Sequence, residues 1–200
     1  MNPYTLTLLR HGEIDHDGRL IGLTDLPLTE HGHHQLGRSW QRISSLAPVT
    51  AIASSPLQRC REFAVKQALS GSLTLKVDPR FAEMDFGGWD GQPVADLERV
   101  HPGWGEALAD GRLSPPGGES FEAFRTRVLA GLADWMTEAR GSHRLLVTHG
   151  GVITVLMAEL LGTDFSVAKL MTVQRGGFVQ LSMLEGHPAY LLRLESACAD

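Results

Sequence analysis

Apolar and polar positions along this chain alternate between two periods. Thr5 to Leu9 is a short, mostly apolar run with β-branched residues, the pattern of a strand buried on both faces. Ala51 to Ser54 and Arg144 to Thr148 repeat it, and Leu73 to Val77 alternates between Gly71 and Pro79. Between these runs the spacing becomes helical. Thr29 is a suitable N-cap for a helix from Glu30 to about Ser45, with Leu36, Trp40 and Ile43 along one face. Ser55 followed by Pro56 predicts an N-cap with proline at the first helical position, opening a helix to about Leu69. Ser120 caps a long helix to about Arg140, whose Phe121, Phe124, Val128, Leu132 and Trp135 form one stripe, and Gly141 ends it. Val152 to Leu161 reads as a further helix. The tail changes character: Phe178 to Leu184 and Tyr190 to Leu194 are strands joined by a hairpin at Glu185-Gly186-His187-Pro188.

Two stretches break the pattern. Gly12 to Pro27 is a loop marked by glycines and aspartates. From Phe81 to Gly118 the periodicity fades, except for a short helix expected after Pro93. The alternation of strand and helix elsewhere predicts an α/β fold, a three-layer α/β/α sandwich with a largely parallel central sheet. Residues 1–200 are read as one domain, with an excursion at about 84–118.

Composition narrows the function classes. The chain of 200 residues is 42% hydrophobic and 20% charged, with a net charge of -5 and no basic block to compensate it. A general nucleic-acid or anionic-membrane binder is disfavoured. Cys60 and Cys198 cannot build a disulfide framework, and neither has a partner at metal-ligand spacing. The start, Met1-Asn2-Pro3-Tyr4, lacks the features of a signal peptide, and no apolar stretch approaches a membrane span. A cytoplasmic, enzyme-sized domain is the expectation.

Candidate chemistry sits at the strand ends. Arg10-His11-Gly12 and Thr148-His149-Gly150-Gly151 each place a histidine where an apolar run stops. In α/β sheets ligands bind at such edges. A lone strand-end histidine is more often structural, but Arg10 adds a forked, permanently charged donor. Gly12 leaves space for a close backbone approach, and the helix opening at Gly150-Gly151 offers N–H groups to an anion. Arg59, in the first turn of the helix after Ser54-Ser55-Pro56, can point over the same edge, although a solvated arginine is the commoner outcome. Glu83 lies among Phe81, Met84 and Phe86 and suits a proton donor. Asp85 competes for that role. His31 and His34 are three apart on a helix, with no carboxylate or cysteine arranged to complete a metal site, so an exposed polar face is expected.

Taken together, Leu9-Arg10-His11-Gly12-Glu13, Ser54-Ser55-Pro56-Leu57-Gln58-Arg59, the run from Glu83 to Gly91, and Thr148-His149-Gly150-Gly151 resemble the histidine phosphatase superfamily, in its phosphoglycerate mutase-like branch. The resemblance runs in order from Thr5 to about Leu184. It implies a metal-independent phosphomonoesterase of the histidine acid phosphatase type, with no cofactor. His11 would be the nucleophile that becomes phosphohistidine. Arg10, Arg59, His149 and Gly150 would bind the phosphoryl group, and Glu83 would protonate the leaving alkoxide and then activate water. There are two departures. The segment Ile14-Asp15-His16-Asp17-Gly18-Arg19 is shorter than the family's and lacks its asparagine, for which His16 is a conceivable replacement. Phe63 stands where the family has threonine.

The excursion is expected to set the substrate. It carries Arg99 and Arg112 against Asp85, Asp90, Asp96, Glu98, Glu106 and Asp110, which suits a small-molecule monoester without a second anion better than a bisphosphorylated acid. Together with Gly117 to Phe124 it is similar to α-ribazole-5'-phosphate phosphatases, which act in assembling the nucleotide loop of cobalamin. A broad-specificity sugar-phosphate or fructose-2,6-bisphosphatase-like phosphatase, a phosphoglycerate mutase, and a non-catalytic phospho-ligand or protein-interaction module are the alternatives. The oligomeric state, a homodimer included, stays open.

Overall fold

A computed structural model describes residues 3–197; the readings made of the chain's start at Met1 and of Cys198 lie outside the described residues. The strands are β1 (Tyr4–Arg10), β2 (Ala51–Ser54), β3 (Thr74–Val77), β4 (His143–Thr148), β5 (Phe178–Met183) and β6 (Tyr190–Glu195). The helices are α1 (Glu30–Leu46), α2 (Gln58–Gly71), α3 (Val94–Val100), α4 (Trp104–Ala109), α5 (Phe121–Glu138), α6 (Gly150–Leu161) and α7 (Phe165–Ala168). One six-stranded sheet has the order β3-β2-β4-β1-β5-β6. Pairs β3-β2, β2-β4 and β4-β1 are parallel, while β1-β5 and β5-β6 are antiparallel. Only β5 therefore runs against the others.

The two faces of the sheet follow from side-chain alternation. Leu6, Leu8, Ala53, Leu146, Val179 and Leu181 pack with Phe124, Val128, Leu132 and Trp135 of α5 and with Val152 and Leu156 of α6. Leu9, Ile52, Leu145, Val147 and Phe178 pack on the other side with Leu36 and Ile43 of α1 and Phe63, Ala64 and Ala68 of α2. Each face thus has its own helical layer, and the sandwich is the three-layer one. Burying these side chains supplies about 1.5–3 kcal/mol each before the entropy of ordering is charged against it. A buried polar chain crosses the sheet interior: Gln180 Nε2 donates to Thr7 Oγ1 (3.0 Å), and Thr7 Oγ1 lies 2.8 Å from His143 Nε2. His143 Nδ1 is 3.0 Å from the Ala47 carbonyl, so it carries the proton and Nε2 accepts from Thr7.

Two local expectations need adjustment. Thr29 caps α1 as expected, its hydroxyl accepting from Gly32 N at 3.0 Å. Ser55, however, does not cap α2, which starts at Gln58 after Leu57. Ser55 N still belongs to the sheet edge through the Val147 carbonyl (3.0 Å), and its hydroxyl is engaged by His149, so the helix begins only after the chain has turned. In the excursion the structure forms two helices rather than one. Segment α4 was invisible to periodicity because it has six residues and follows Gly103, at φ +70°, with no capping side chain. The β5-β6 hairpin forms as read, with a register shift between Gln180 and Leu181.

Candidate active site

Parallel register builds the site. Arg10 of β1 lies opposite Thr148 of β4, and Ser54 of β2 lies opposite Val147. The residues that follow at or just beyond these ends are therefore His11, Ser55 and His149, on one sheet edge. His11 N donates to the Thr148 carbonyl (2.9 Å), which extends the ladder by one residue to the histidine itself. The ring centroids of His11 and His149 are 5.2 Å apart.

His11 is 5% exposed. Its Nδ1 is 2.8 Å from its neighbour's carbonyl, Gly12 O, which can only accept; Nδ1 therefore carries the proton and Nε2 keeps its lone pair. Burial first, then the Arg59 guanidinium, hold His11 well below the ordinary 6.5, with Arg10 and Arg175 adding to the effect against the Gly12 bond. A neutral imidazole follows. Gly12 has a different task from the one its sequence suggested. Any Cβ on it would overlap the backbone of Gly32, so the close approach it permits is that of α1, not of a ligand.

His149 is fully buried, between Arg59 Nε at 3.3 Å from Nδ1 and Ser55 Oγ at 2.7 Å from Nε2. Because Arg59 can only donate, Nδ1 accepts and Nε2 carries the proton toward Ser55. Burial and then Arg59 push its pKa well down, with His11 adding to the shift. Cys60 Sγ lies 3.7 Å from His149 Nε2. Burial raises the thiol strongly, which leaves Cys60 as packing rather than as a nucleophile.

Arg59 is 1% exposed, not the solvated helix arginine that was the commoner outcome. Nη1 donates to Thr24 O (2.9 Å) and Nη2 to Gly22 O (2.7 Å). Asp90 holds that same loop by accepting from Gly22 N and Thr24 N at 3.0 and 2.8 Å. Arg10 donates through Nη1 to Val173 O (2.9 Å), while its buried Nε has no partner among the described residues. An Ala side chain at Gly150 would stand 3.1 Å from Arg10 Cζ, so this glycine lets the guanidinium lie across the start of α6.

Glu83 meets the same helix start. Oε2 accepts from Gly151 N (3.2 Å) and Oε1 from Met84 N (3.1 Å). The helix start thus holds the protein's own carboxyl group, at Gly151 N. Arg127 of α5 fixes the segment behind it, donating to the carbonyls of Arg80, Ala82 and Glu83 at 2.8 to 2.9 Å and forking onto Glu119. Asp85 is occupied elsewhere: its Oδ1 accepts from Gly87 N at 2.9 Å, closing a turn.

Two cavities flank the site. One, of about 210 Å³, is walled by Met84, Phe86, Trp104, Phe121, Phe124 and Phe165, with Glu83, Gly151 and Lys169 also lining it. Trp104 lines this cavity, whereas Trp89 is 6% exposed and packs on His101 and Trp104 as an anchor. The other, of about 540 Å³, is bordered by Glu13, His16, Thr29 and Arg175. Sequence reasoning passed over Arg175; its only signal was the Arg-Gly-Gly run entering β5. Arg99 and Arg112 pair with Asp96 and Asp110 of their own segment. His31, His33 and His34 lie on an exposed face of α1, and among the described residues no three His, Cys, Asp or Glu side chains cluster to hold a metal. No helix among the described residues is long and apolar enough to cross a membrane.

A three-layer α/β fold with two histidines and two arginines gathered beside the carboxyl ends of its parallel strands defines a class of phosphate-handling domains. Residues 6–195 match the Histidine phosphatase superfamily (branch 1), and the chain belongs to that family. It is 35% identical over 171 residues to "Bifunctional protein Rv2228c" of Mycobacterium tuberculosis, covering 82% of this chain and 46% of that protein. The chain thus spans about half the length of that relative. It is also 35% identical over 161 residues to "Probable phosphoglycerate mutase GpmB" of Salmonella choleraesuis, covering 78% of this chain and 74% of the relative. Among solved structures, the α-ribazole phosphatase of Shigella flexneri superposes with a TM-score of 0.83 at 26% identity, covering 98% of each chain. The mycobacterial glucosyl-3-phosphoglycerate phosphatase Rv2419c gives 0.84 at 26%, covering 98% of this chain and 100% of that one.

Proposed function

We propose that the protein hydrolyses phosphate monoesters through a phosphohistidine on His11. The observation that carries this reading is the Nδ1 bond to Gly12 O, which leaves a neutral ring with a bare Nε2 beside Arg10 and Arg59. Nε2 attacks phosphorus and the P–O bond to the leaving group breaks. Arg10, Arg59 and the start of α6 at Gly150 stabilise the equatorial oxygens. His149, neutral and held between Arg59 and Ser55, aligns the guanidinium, and contributes its own N–H if the Ser55 bond yields to the phosphoryl group. Glu83 gives a proton to the leaving oxygen, then takes one from the water whose oxygen attacks phosphorus as the P–N bond breaks, releasing phosphate and free His11. Fixed guanidinium charge serves in place of a metal.

The leaving group departs on the Glu83 side, where the aromatic cavity lies. That cavity favours a flat, largely apolar alcohol, and α-ribazole 5'-phosphate is the substrate we favour, with cobalamin nucleotide-loop assembly as the setting; the likeness to the Shigella flexneri enzyme supports the same reading. Internal pairing of Arg99 and Arg112 removes the excursion's cations from service to a second anion, which weighs against a mutase. The test is a panel of α-ribazole phosphate, glucosyl-3-phosphoglycerate, 3-phosphoglycerate and fructose 2,6-bisphosphate in EDTA, with His11→Ala as control. The expected result is highest kcat/KM for α-ribazole phosphate and none for the variant. Turnover that needs added metal, or that survives in His11→Ala, overturns the mechanism; preference for another panel member overturns the substrate.

A further inference from the structure

The turn that leads into β5 is bonded on both sides to the strand end that carries the candidate nucleophile. Gly176 N donates to the His11 carbonyl (2.9 Å), and Arg10 N donates to the Gly177 carbonyl (3.0 Å). Gly177 N closes the turn onto Gln174 O at 2.9 Å, with Gly176 at φ +70°, a backbone that glycine adopts at little cost. Arg175 occupies the corner of this turn. Its position is therefore set by the same backbone that sets His11.

Its guanidinium is half-buried and borders the 540 Å³ cavity together with Glu13, His16 and Thr29. Among the described residues it makes no hydrogen bond and no ion pair, in contrast to Arg59, whose donors are largely spent on Gly22, Thr24 and His149. Glu13, the carboxylate whose charge acts on it, is already engaged by the Thr29 hydroxyl at 3.0 Å. The charge of Arg175 is felt at His11 and Arg10, and that of Arg59 at Arg175. A permanently charged fork that gives up part of its hydration without gaining a protein partner is poised for an anion. The same cavity is lined by residues 14–18, which fall in the run from Ile14 to Arg19 where the chain departs from the family pattern.

We propose that Arg175 is a catalytic residue, a third arginine that donates to an equatorial oxygen of the phosphoryl group on its way to and from His11. The inference rests on the phosphohistidine reading above. It makes the phosphate end of the pocket a three-arginine cradle fed from β1, α2 and the turn before β5.

The experiment compares wild type with Arg175→Gln and Arg175→Lys in the full chain, measuring kcat/KM for p-nitrophenyl phosphate and an alkyl monophosphate, together with inhibition by orthovanadate. Arg175→Gln is expected to lower kcat/KM about 10²-fold, by the same factor for both substrates, and to weaken vanadate inhibition at least in parallel. Arg175→Lys is expected to fall between, because it keeps the charge and loses the fork. The melting temperature should stay near that of wild type, since no protein bond is lost. Unchanged vanadate inhibition in either variant, or an unchanged kcat/KM for both monoesters in Arg175→Gln, overturns the proposal. A wild-type protein that turns over no monoester and is not labelled on His11 overturns the underlying reading instead.

Discussion

Gly151→Ala tests the proposed proton-donor role of Glu83 apart from the stability of the fold. A Cβ at Gly151 would overlap Glu83 Oε1 and stand 3.3 Å from Glu83 Cδ and from Phe124 Cζ. The carboxylate, as the end of a flexible side chain, is the group that moves. The backbone at Gly151 is not in the left-handed region, so alanine suits it and gains about 0.5–1 kcal/mol in helix propensity. Against this stands the loss of the Gly151 N to Glu83 Oε2 bond, worth about 0.5–1.5 kcal/mol. The two nearly cancel, and the melting temperature should move by no more than about 4 °C for a chain of this size. Activity has no such compensation. A displaced general acid costs about 10²- to 10⁴-fold, or roughly 3–5 kcal/mol of transition-state stabilisation. The assay is kcat/KM for an alkyl monophosphate and for p-nitrophenyl phosphate, alongside a thermal melt and Glu83→Gln as reference. The loss should be large for the alkyl ester, smaller for the better leaving group, and similar in the two variants. Wild-type turnover of the alkyl ester by Gly151→Ala would refute the assignment of Glu83 as the acid delivered from this helix start.

Asp85→Asn should cost little of the leaving-group dependence that Glu83→Gln destroys, because Asp85 closes a turn onto Gly87; the slope of rate against leaving-group basicity in the two variants checks it. Arg127→Met breaks a partly buried fork to Glu119 and three carbonyl bonds behind Glu83, and is expected to cost about 2–4 kcal/mol in chemical denaturation and to lower kcat more than it raises KM. Acid sensitivity follows from the buried histidines. His11, His143 and His149 all lie below their ordinary 6.5, chiefly through burial, so the unfolded chain binds more protons than the folded one as pH falls past that value. Stability should therefore be level above about pH 6.5 and decline below it, and thermal melts across pH 5 to 8 measure this; a rise on acidification would contradict the neutral-ring assignment.

Much of the fold was legible because burial imposes its period directly. The runs at Thr5, Ala51 and Arg144 became parallel strands, and the Phe124-Val128-Leu132-Trp135 stripe lies in the core. What escaped were features decided by neighbours distant in sequence. Ser55 looks like an N-cap locally, but its backbone is held by Val147 and its hydroxyl by His149. Gly12 looks like a ligand-side glycine, yet it accommodates Gly32. The structure brings Arg10, His11, Arg59, Glu83, His149 and Gly150 to one sheet edge and the start of one helix. Arg175 was missed because its one local signal, the Arg-Gly-Gly run, does not say which strand end its turn joins; the bonds from that turn to Arg10 and His11 do.

The sheet order has a kinetic consequence. β1 finds its parallel partner only when Thr5 meets His143, and its other neighbour only when Leu9 meets Phe178. Every strand end that contributes to the pocket is joined by such non-local pairings, whose loop-closure entropy must be met before any contact rewards it. No fragment that ends before β4 therefore contains the pocket's strand-end residues together, and during refolding turnover should return with the last cooperative phase rather than with early helix formation. On the proposed mechanism, turnover would accordingly be a direct report on completion of the topology.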